Sequence, residues 1–222
     1  MEEIKINIGS GCAVADGYIN IENSPTYFLH ILSPIINRFS LLGKLIGHNR
    51  AIAIHEYHKV RKQIKFKSVV NKIPYPDNSV SVIYSSHFLE HIPYNSALSL
   101  LIDCRRALKP GGIIRICVPN LRYEIDCYLN NKYDCDLPMA DKFMERLLFV
   151  KKDEITFLGR IMFLGPRMHM WMYDSDSLIN LFKLASLNNA KEEKYLESKI
   201  EEIYSLDIEK RSLKSIYIEA IK

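Results

Sequence analysis

The feature that most restricts the fold lies at the amino terminus. There the apolar run Ile4-Lys5-Ile6-Asn7-Ile8 enters Gly9-Ser10-Gly11-Cys12, and Gly17-Tyr18-Ile19-Asn20-Ile21-Glu22 follows about ten residues on. The pattern predicts a strand, a tight glycine turn, a second strand and a carboxylate at that strand's tip. Gly9 and Gly11 permit backbone angles and a close approach that a β-carbon obstructs, so main-chain N–H groups are expected to face a polar or anionic ligand. Glu22 then stands where a ribose diol could donate two hydrogen bonds to one carboxylate. A glycine turn between two core strands with an incidental Glu is the competing reading.

Spacing narrows the ligand. A dinucleotide fingerprint needs a third glycine that packs a helix on the strand, and an acidic residue about 20 residues on. Val14 occupies the third-glycine position, and the gap to Glu22 is too short for a full crossover helix. NAD is disfavoured on both counts.

A chain of 222 residues with 48% hydrophobic and 25% charged composition fits one domain spanning 1–222, with a sizeable core. Its net charge of +4 permits a phosphate-bearing partner without requiring one. Cys12, Cys104, Cys117, Cys127 and Cys135 are odd in number and form no CxxC pair. Reduced thiols and a cytoplasmic location are therefore expected, with no metal site. No signal peptide is read, because the chain opens acidic and runs into a strand.

Residues 23–37 carry no Asp, Glu, Lys or Arg, and Phe28, Ile31, Leu32, Ile35, Phe39, Leu42 and Ile46 recur at helical spacing. Pro34 interrupts any single helix there. Ser33-Pro34 reads as an N-cap and first-turn pair, with Gly43 or Gly47 ending the second piece. The run is too short and broken to cross a bilayer. It is read as core, as a lid within a helical insertion around 26–64, or as an interfacial helix making peripheral membrane contact. Residues 51–68 are mixed and basic, and read as a solvated connector or a phosphate-contacting patch.

The turn cluster Ile73-Pro74-Tyr75-Pro76-Asp77-Asn78-Ser79 leads into a strand from Val80 to Tyr84, with Ser85-Ser86-His87 at its end and Phe88-Leu89-Glu90-His91 following. Ligands of open α/β sheets collect beyond the carboxyl ends of strands, so this polar cluster falls where chemistry is placed. Asn95 is expected to cap a helix running to Leu108, and Lys109-Pro110-Gly111-Gly112 to turn the chain into a strand over 113–118. A helix is expected over 139–150, then a loop or short helix over 151–160. A further helix, capped by Asp174 or Ser175, runs to Leu187 and ends at Asn188 or Asn189. An antiparallel strand over 215–220 is expected at the sheet's edge.

Six blocks in order carry a family likeness: Ile6-Asn7-Ile8-Gly9-Ser10-Gly11, residues 17–25, 73–79, 85–92, 108–112 and Val118-Pro119-Asn120-Leu121. With His169-Met170-Trp171-Met172-Tyr173-Asp174 and 215–220, they make the chain resemble class I S-adenosylmethionine (SAM)-dependent methyltransferases, in the type 11-like branch often associated with glycan biosynthesis. The resemblance implies a Rossmann-like three-layer α/β/α sandwich whose seven-stranded sheet is mostly parallel with an antiparallel last strand. It implies SAM as cofactor, approached by Asn7, Gly9, Ser10 and Gly11, held at the ribose by Glu22, with Ser85, Ser86 and His87 beside the sulfonium. The likeness departs at the adenine end, where the Asp of many relatives falls near Ser68 and Asn71 is the substitute on offer.

Methyl transfer from a sulfonium is an in-line displacement, so the protein mainly aligns the reactants and excludes water. A hydroxyl acceptor also benefits from a base, which makes His87 and His169 the candidate catalytic residues; His91, after Glu90, reads as structural. Trp171 and Tyr173 are candidates to stack on a sugar or aromatic acceptor, and Arg122 and Arg167 to clamp its phosphate or carboxylate. Packing and surface roles compete for all four. The expected function is methylation of a hydroxyl on a glycan or small metabolite. The alternatives are an RNA methyltransferase using 51–68, although nucleic acid leaves no strong signal, and an inactive SAM-fold scaffold.

Overall fold

The computed structural model describes residues 3–38, 48–134, 136–147, 168–212 and 214–222. Its strands are β1 (Ile4–Ile8), β2 (Ile19–Glu22), β3 (Ile64–Phe66), β4 (Val80–Ser86), β5 (Leu108–Pro119), β6 (Lys191–Glu193) and β7 (Ser215–Ile221). They form one sheet in the order β3-β2-β1-β4-β5-β7-β6. All pairings from β3 to β5 are parallel, and β7 runs antiparallel to both β5 and β6. Helices α1 (Ser33–Arg38), α2 (His48–Val60), α3 (Tyr94–Ala107), α4 (Leu121–Leu129), α5 (Met139–Leu147) and α6 (Ser175–Leu184) flank it. This is the Rossmann-like α/β architecture that the family resemblance implies, with the reversed last strand in place.

Alternation along the strands divides the core between the two faces. Ile6, Ile8, Ile83, Ile114, Ile116 and Ile218 point to one side, where Leu100 and Leu101 of α3 and Leu181 and Phe182 of α6 cover them. Val82 and Tyr84 point to the other, against Tyr18, Ile200, Ile203 and Leu206. That second face also buries Arg115 of β5 completely. Its guanidinium meets Asp207 at 2.6 Å and Glu219 at 3.5 Å, and donates to the carbonyls of Glu197 and Lys194. One cation thereby ties β5, β7 and the segment between β6 and β7 together.

Several boundaries differ from those expected. The strand over 215–220 is not at the edge, because β6, a short strand of charged residues, pairs outside it. Lys109-Pro110-Gly111-Gly112 does not separate helix from strand. β5 starts at Leu108, and the register jumps from Val80↔Leu108 to Val82↔Ile113, so these four residues form an excursion inside the strand. Pro93, not Asn95, precedes α3 as its N-cap. Asp174 does cap α6, in a capping box with Ser177, but the helix stops at Leu184. Ser33 lies inside a helical turn instead of capping it, with its hydroxyl 3.2 Å from His55 Nδ1. Residues 51–68 are mostly ordered into α2 and β3 instead of a connector. Helix α4, capped by Asn120, was not anticipated. Gly43, Gly47, Cys135 and 148–160 lie outside the described residues, where Cys12, Cys104, Cys117 and Cys127 are free thiols. Among them, no helix is long and apolar enough to cross a membrane.

Arg115→Met removes the cation and leaves two buried carboxylates facing each other. It is expected to destabilise the domain by about 3–5 kcal/mol, read as a lower midpoint in urea unfolding.

Candidate active site

The chain-order reversal between β1 and β4 opens a crevice at the carboxyl ends of those strands, the position at which open α/β sheets bind ligands. A cavity of about 320 Å³ lies there, bordered by the 9–11 turn, Glu22, Tyr57, Ser86, His87 and Arg211, among others. That volume is at the lower end of the range for small-molecule sites.

On one wall, Gly9 and Gly11 have φ of +63° and +55°, values that side chains with a β-carbon rarely adopt. A β-carbon on Gly9 would fall 2.5 Å from the Phe88 ring, whereas one on Gly11 would come no closer than 4.0 Å to Glu22. The main-chain N–H groups of the turn do not form the ligand-facing cradle expected of them. Gly9 and Ser10 both donate to the Ile21 carbonyl, at 2.8 and 3.2 Å, and Gly11 donates to Glu22 Oε2 at 2.7 Å. The other oxygen of Glu22 accepts from the N–H groups of Asn23 and Ser24, at 2.8 and 2.6 Å. Backbone bonds thus fix the carboxylate, and its edge borders the cavity.

Asn7 and Ser85, expected at the cofactor, serve the frame instead. Asn7 Nδ2 donates to the Ala13 carbonyl and to Asn20 Oδ1, and Ser85 Oγ donates to the Ile8 carbonyl; neither borders the cavity. Ser10 and Ser86 do border it. Ser68 and Asn71 are exposed and lie away from it.

At the end of β4, His87 borders the same cavity with φ of +54°, a strained value for a non-glycine residue. Its Nε2 lies 2.9 Å from Ser215 Oγ and its Nδ1 3.6 Å from Glu90 Oε1. Burial, with Arg211 and two further histidines nearby, pushes the imidazole down to about 3. His169 does not border the cavity. It packs behind this wall, its ring centroid 5.0 Å from that of His91, and burial pushes it down to about 4. Glu90 is fully buried, neither carboxyl oxygen has a hydrogen-bond partner, and burial pushes it up to about 8. At neutral pH His87 and His169 are therefore uncharged and Glu90 holds its proton.

The expected acceptor residues separate. Trp171 is half exposed, with its ring 5.1 Å from that of Tyr94. Tyr173 is wholly buried in the core, so its ring is not available for stacking on a ligand. Arg122 is exposed and engaged with Asp174 and Asp176 at the start of α6. Arg167 lies outside the described residues. Sequence reading missed Arg211 and Tyr57 as wall residues, and took Glu90 for part of a structural pair. Arg211, which donates to Ser86 Oγ at 2.7 Å, ends the short 3-10 helix Glu209–Arg211, which carries no spacing signal. Glu90 beside His91 was the one available hint.

Residues 47–116 match the family model of a methyltransferase domain; this segment carries α2, β3, β4, α3 and most of β5. A search among curated proteins finds no match to the sequence. Among solved structures, a chain from the complex between the Haloferax volcanii Trm112 methyltransferase activator and a methyltransferase is similar at TM-score 0.52 and 11% identity, covering 99% of this chain and 82% of that one. A SAM-dependent methyltransferase from Archaeoglobus fulgidus is similar at TM-score 0.50 and 15% identity, covering 99% of this chain and 86% of that one. One from Thermotoga maritima is similar at TM-score 0.50 and 12% identity, covering 100% and 83%. At such identities the likeness establishes the fold. The family match adds that residues 47–116 of this fold form a methyltransferase-domain segment. The crevice fits a nucleoside cofactor such as SAM in one observable respect: a fixed carboxylate borders it beside a turn that lacks side-chain bulk.

The two glycines separate in their expected cost. Gly11→Ala loses about 1–2 kcal/mol for its positive φ, whereas Gly9→Ala adds the collision with Phe88 and loses roughly 2–5 kcal/mol. Urea unfolding of both variants checks the order.

Proposed function

We propose that this chain is a SAM-dependent methyltransferase that transfers a methyl group to a hydroxyl of a glycan or small metabolite. The observation that carries this reading is the cavity at the carboxyl ends of β1, β2 and β4, with a fixed carboxylate on one wall and an uncharged imidazole on the other. Bound SAM supplies an electrophilic methyl group and a thioether leaving group. Glu22 accepts hydrogen bonds from the ribose hydroxyls, and Arg211 offers a positive charge to a carboxylate in the cavity. The helical insertion around 26–64 acts as a lid, because Tyr57 of α2 already borders the cavity and Tyr27 packs edge-on against it, their ring centroids 5.9 Å apart.

His87 is the histidine placed to meet an acceptor. Its Ser215 contact fixes the ring and leaves Nδ1 to take the hydroxyl proton as the oxygen gains the methyl group. Trp171 and Tyr94 offer flat apolar faces next to the same wall, since the Trp171 N–H is bonded to the Glu90 carbonyl. Such faces suit a sugar ring.

The purified protein incubated with radiolabelled SAM and a panel of nucleotide sugars, lipid-linked glycans, small phenols and RNA tests the acceptor class. Label on a hydroxyl of a sugar or small molecule supports the reading, and label on RNA alone refutes it. Glu22→Gln, which retains one acceptor oxygen, is expected to weaken SAM roughly 10- to 150-fold by calorimetry, in line with about 1.5–3 kcal/mol for a bond to a charged group. His87→Ala is expected to lower kcat about 100-fold or more with SAM affinity little changed.

A further inference from the structure

Glu90, His91 and His169 bring one carboxylate oxygen and two imidazole nitrogens within 4.8 Å of one another. Their rings and carboxylate approach one another, His91 to His169 at 5.0 Å between centroids and His91 Nε2 to Glu90 at 3.9 Å, and backbone bonds hold the two segments together. The N–H groups of Met170 and Trp171 donate to the Glu90 carbonyl at 2.7 and 3.2 Å, and His91 Nδ1 lies 3.2 Å from the Met168 carbonyl. These bonds clamp the 168–171 segment onto the turn that carries Glu90 and His91. His169 is thereby delivered by backbone to a partner 79 positions away in sequence, counted from 90 to 169. A carbonyl on the far nitrogen is also how metal-bound histidines are generally oriented, and His91 Nε2 faces Glu90 at 3.9 Å.

Within this cluster Glu90 is unusual. Its side chain is wholly buried, yet both oxygens lack a hydrogen bond, and the nearest imidazole nitrogens, at 3.6 and 3.9 Å, are too far to supply one. A buried polar group left unpaired costs several kcal/mol unless something else meets it. Two imidazoles and one carboxylate form a donor set for a divalent first-row transition ion that leaves coordination positions open.

We propose that Glu90, His91 and His169 bind a divalent transition-metal ion whose open positions face the cleft, where it holds the acceptor hydroxyl beside His87. His91 belongs to both places, as a member of the cluster and a border residue of the cavity. The acceptor role rests on the hydroxyl-methylation reading above, but the metal site does not. An ion there acts as a Lewis acid, lowering the pKa of a bound hydroxyl so that the oxygen is a better nucleophile without a strong base nearby.

Cobalt(II) titrated into chelator-treated, dialysed full-length protein gives the direct readout. The expected result is one equivalent bound with visible d–d absorption, and at least a 100-fold loss of cobalt affinity in His169→Ala and in His91→Ala. Cooperative melting and SAM calorimetry on each variant report that it is folded. Absence of stoichiometric cobalt binding by the wild-type chain, or equal cobalt affinity in the wild type and both folded variants, overturns the proposal. A chain that binds SAM but not cobalt fails here alone. One that binds cobalt but methylates no hydroxyl in the acceptor panel keeps the site and loses its catalytic assignment.

Discussion

The carboxylate of Glu22 is the tie on which the donor side of this protein depends. Parallel neighbours ordinarily need a crossover of a dozen residues or more, usually a helix that brings its own backbone hydrogen bonds. Here β1 and β2 are parallel and joined by residues 9–18 alone, which contain no helix. The loop's polar backbone has to be satisfied from outside, and side chains of the two strands do it. Asn20 accepts from the Ala15 N–H and donates to the carbonyls of Ala15 and Tyr18, Asn7 donates to that of Ala13, and Glu22 takes the N–H of Gly11. A charged acceptor with two or more N–H donors is among the stronger local fixtures available to a loop. The position of the Glu22 carboxylate at the cavity edge therefore follows from how the loop is held.

From that tie the rest of the site follows by topology. β2 and β3 extend the sheet to one side of β1, and the chain then returns to lay β4 on the other. Loops leaving β1 and β4 diverge, and the gap between them cannot be filled by a continuing strand. Buried Arg115 and its two carboxylates brace the far face, holding the 194–207 segment to β5 and β7. Arg211 follows at the end of the short 3-10 helix and reaches Ser86 at the end of β4. The cavity is thus walled by residues from three distant parts of the chain.

Features set by neighbours in sequence were legible without coordinates. Strand β1, its glycine turn, Glu22 at the tip of β2, the capping of α6 by Asp174, and the reversed strand at 215–220 each rest on local spacing or turn chemistry. What failed depended on partners the sequence does not bring together. Asn7 and Ser85 looked like ligands because they sit at strand ends, but the frame consumes their donors. Tyr173 sits beside Trp171 in sequence and on the opposite side of the burial boundary, because the backbone bridge to Asn120 turns its ring inward. β6 escaped notice as three charged residues with no apolar alternation. A donor set whose third member lies far along the chain gives no spacing signature, so no metal site was expected.

The two walls of the cleft are stabilised by opposite means, and this bears on how they divide the reaction. The Glu22 wall pairs its charge with fixed N–H groups, which suits a ligand whose position must be reproduced and whose hydroxyls complete an already ordered set. The His87 wall sets uncharged histidines around a buried carboxyl group that has no hydrogen-bonding partner, and it stores strain at a left-handed His87. Folding alone does not favour such a wall, since each feature costs free energy that packing elsewhere must offset. Those costs are expected where a site is held ready for something that binds to it. The Glu22 wall is therefore satisfied as folded, whereas the wall around Glu90 and His87 carries unmet costs.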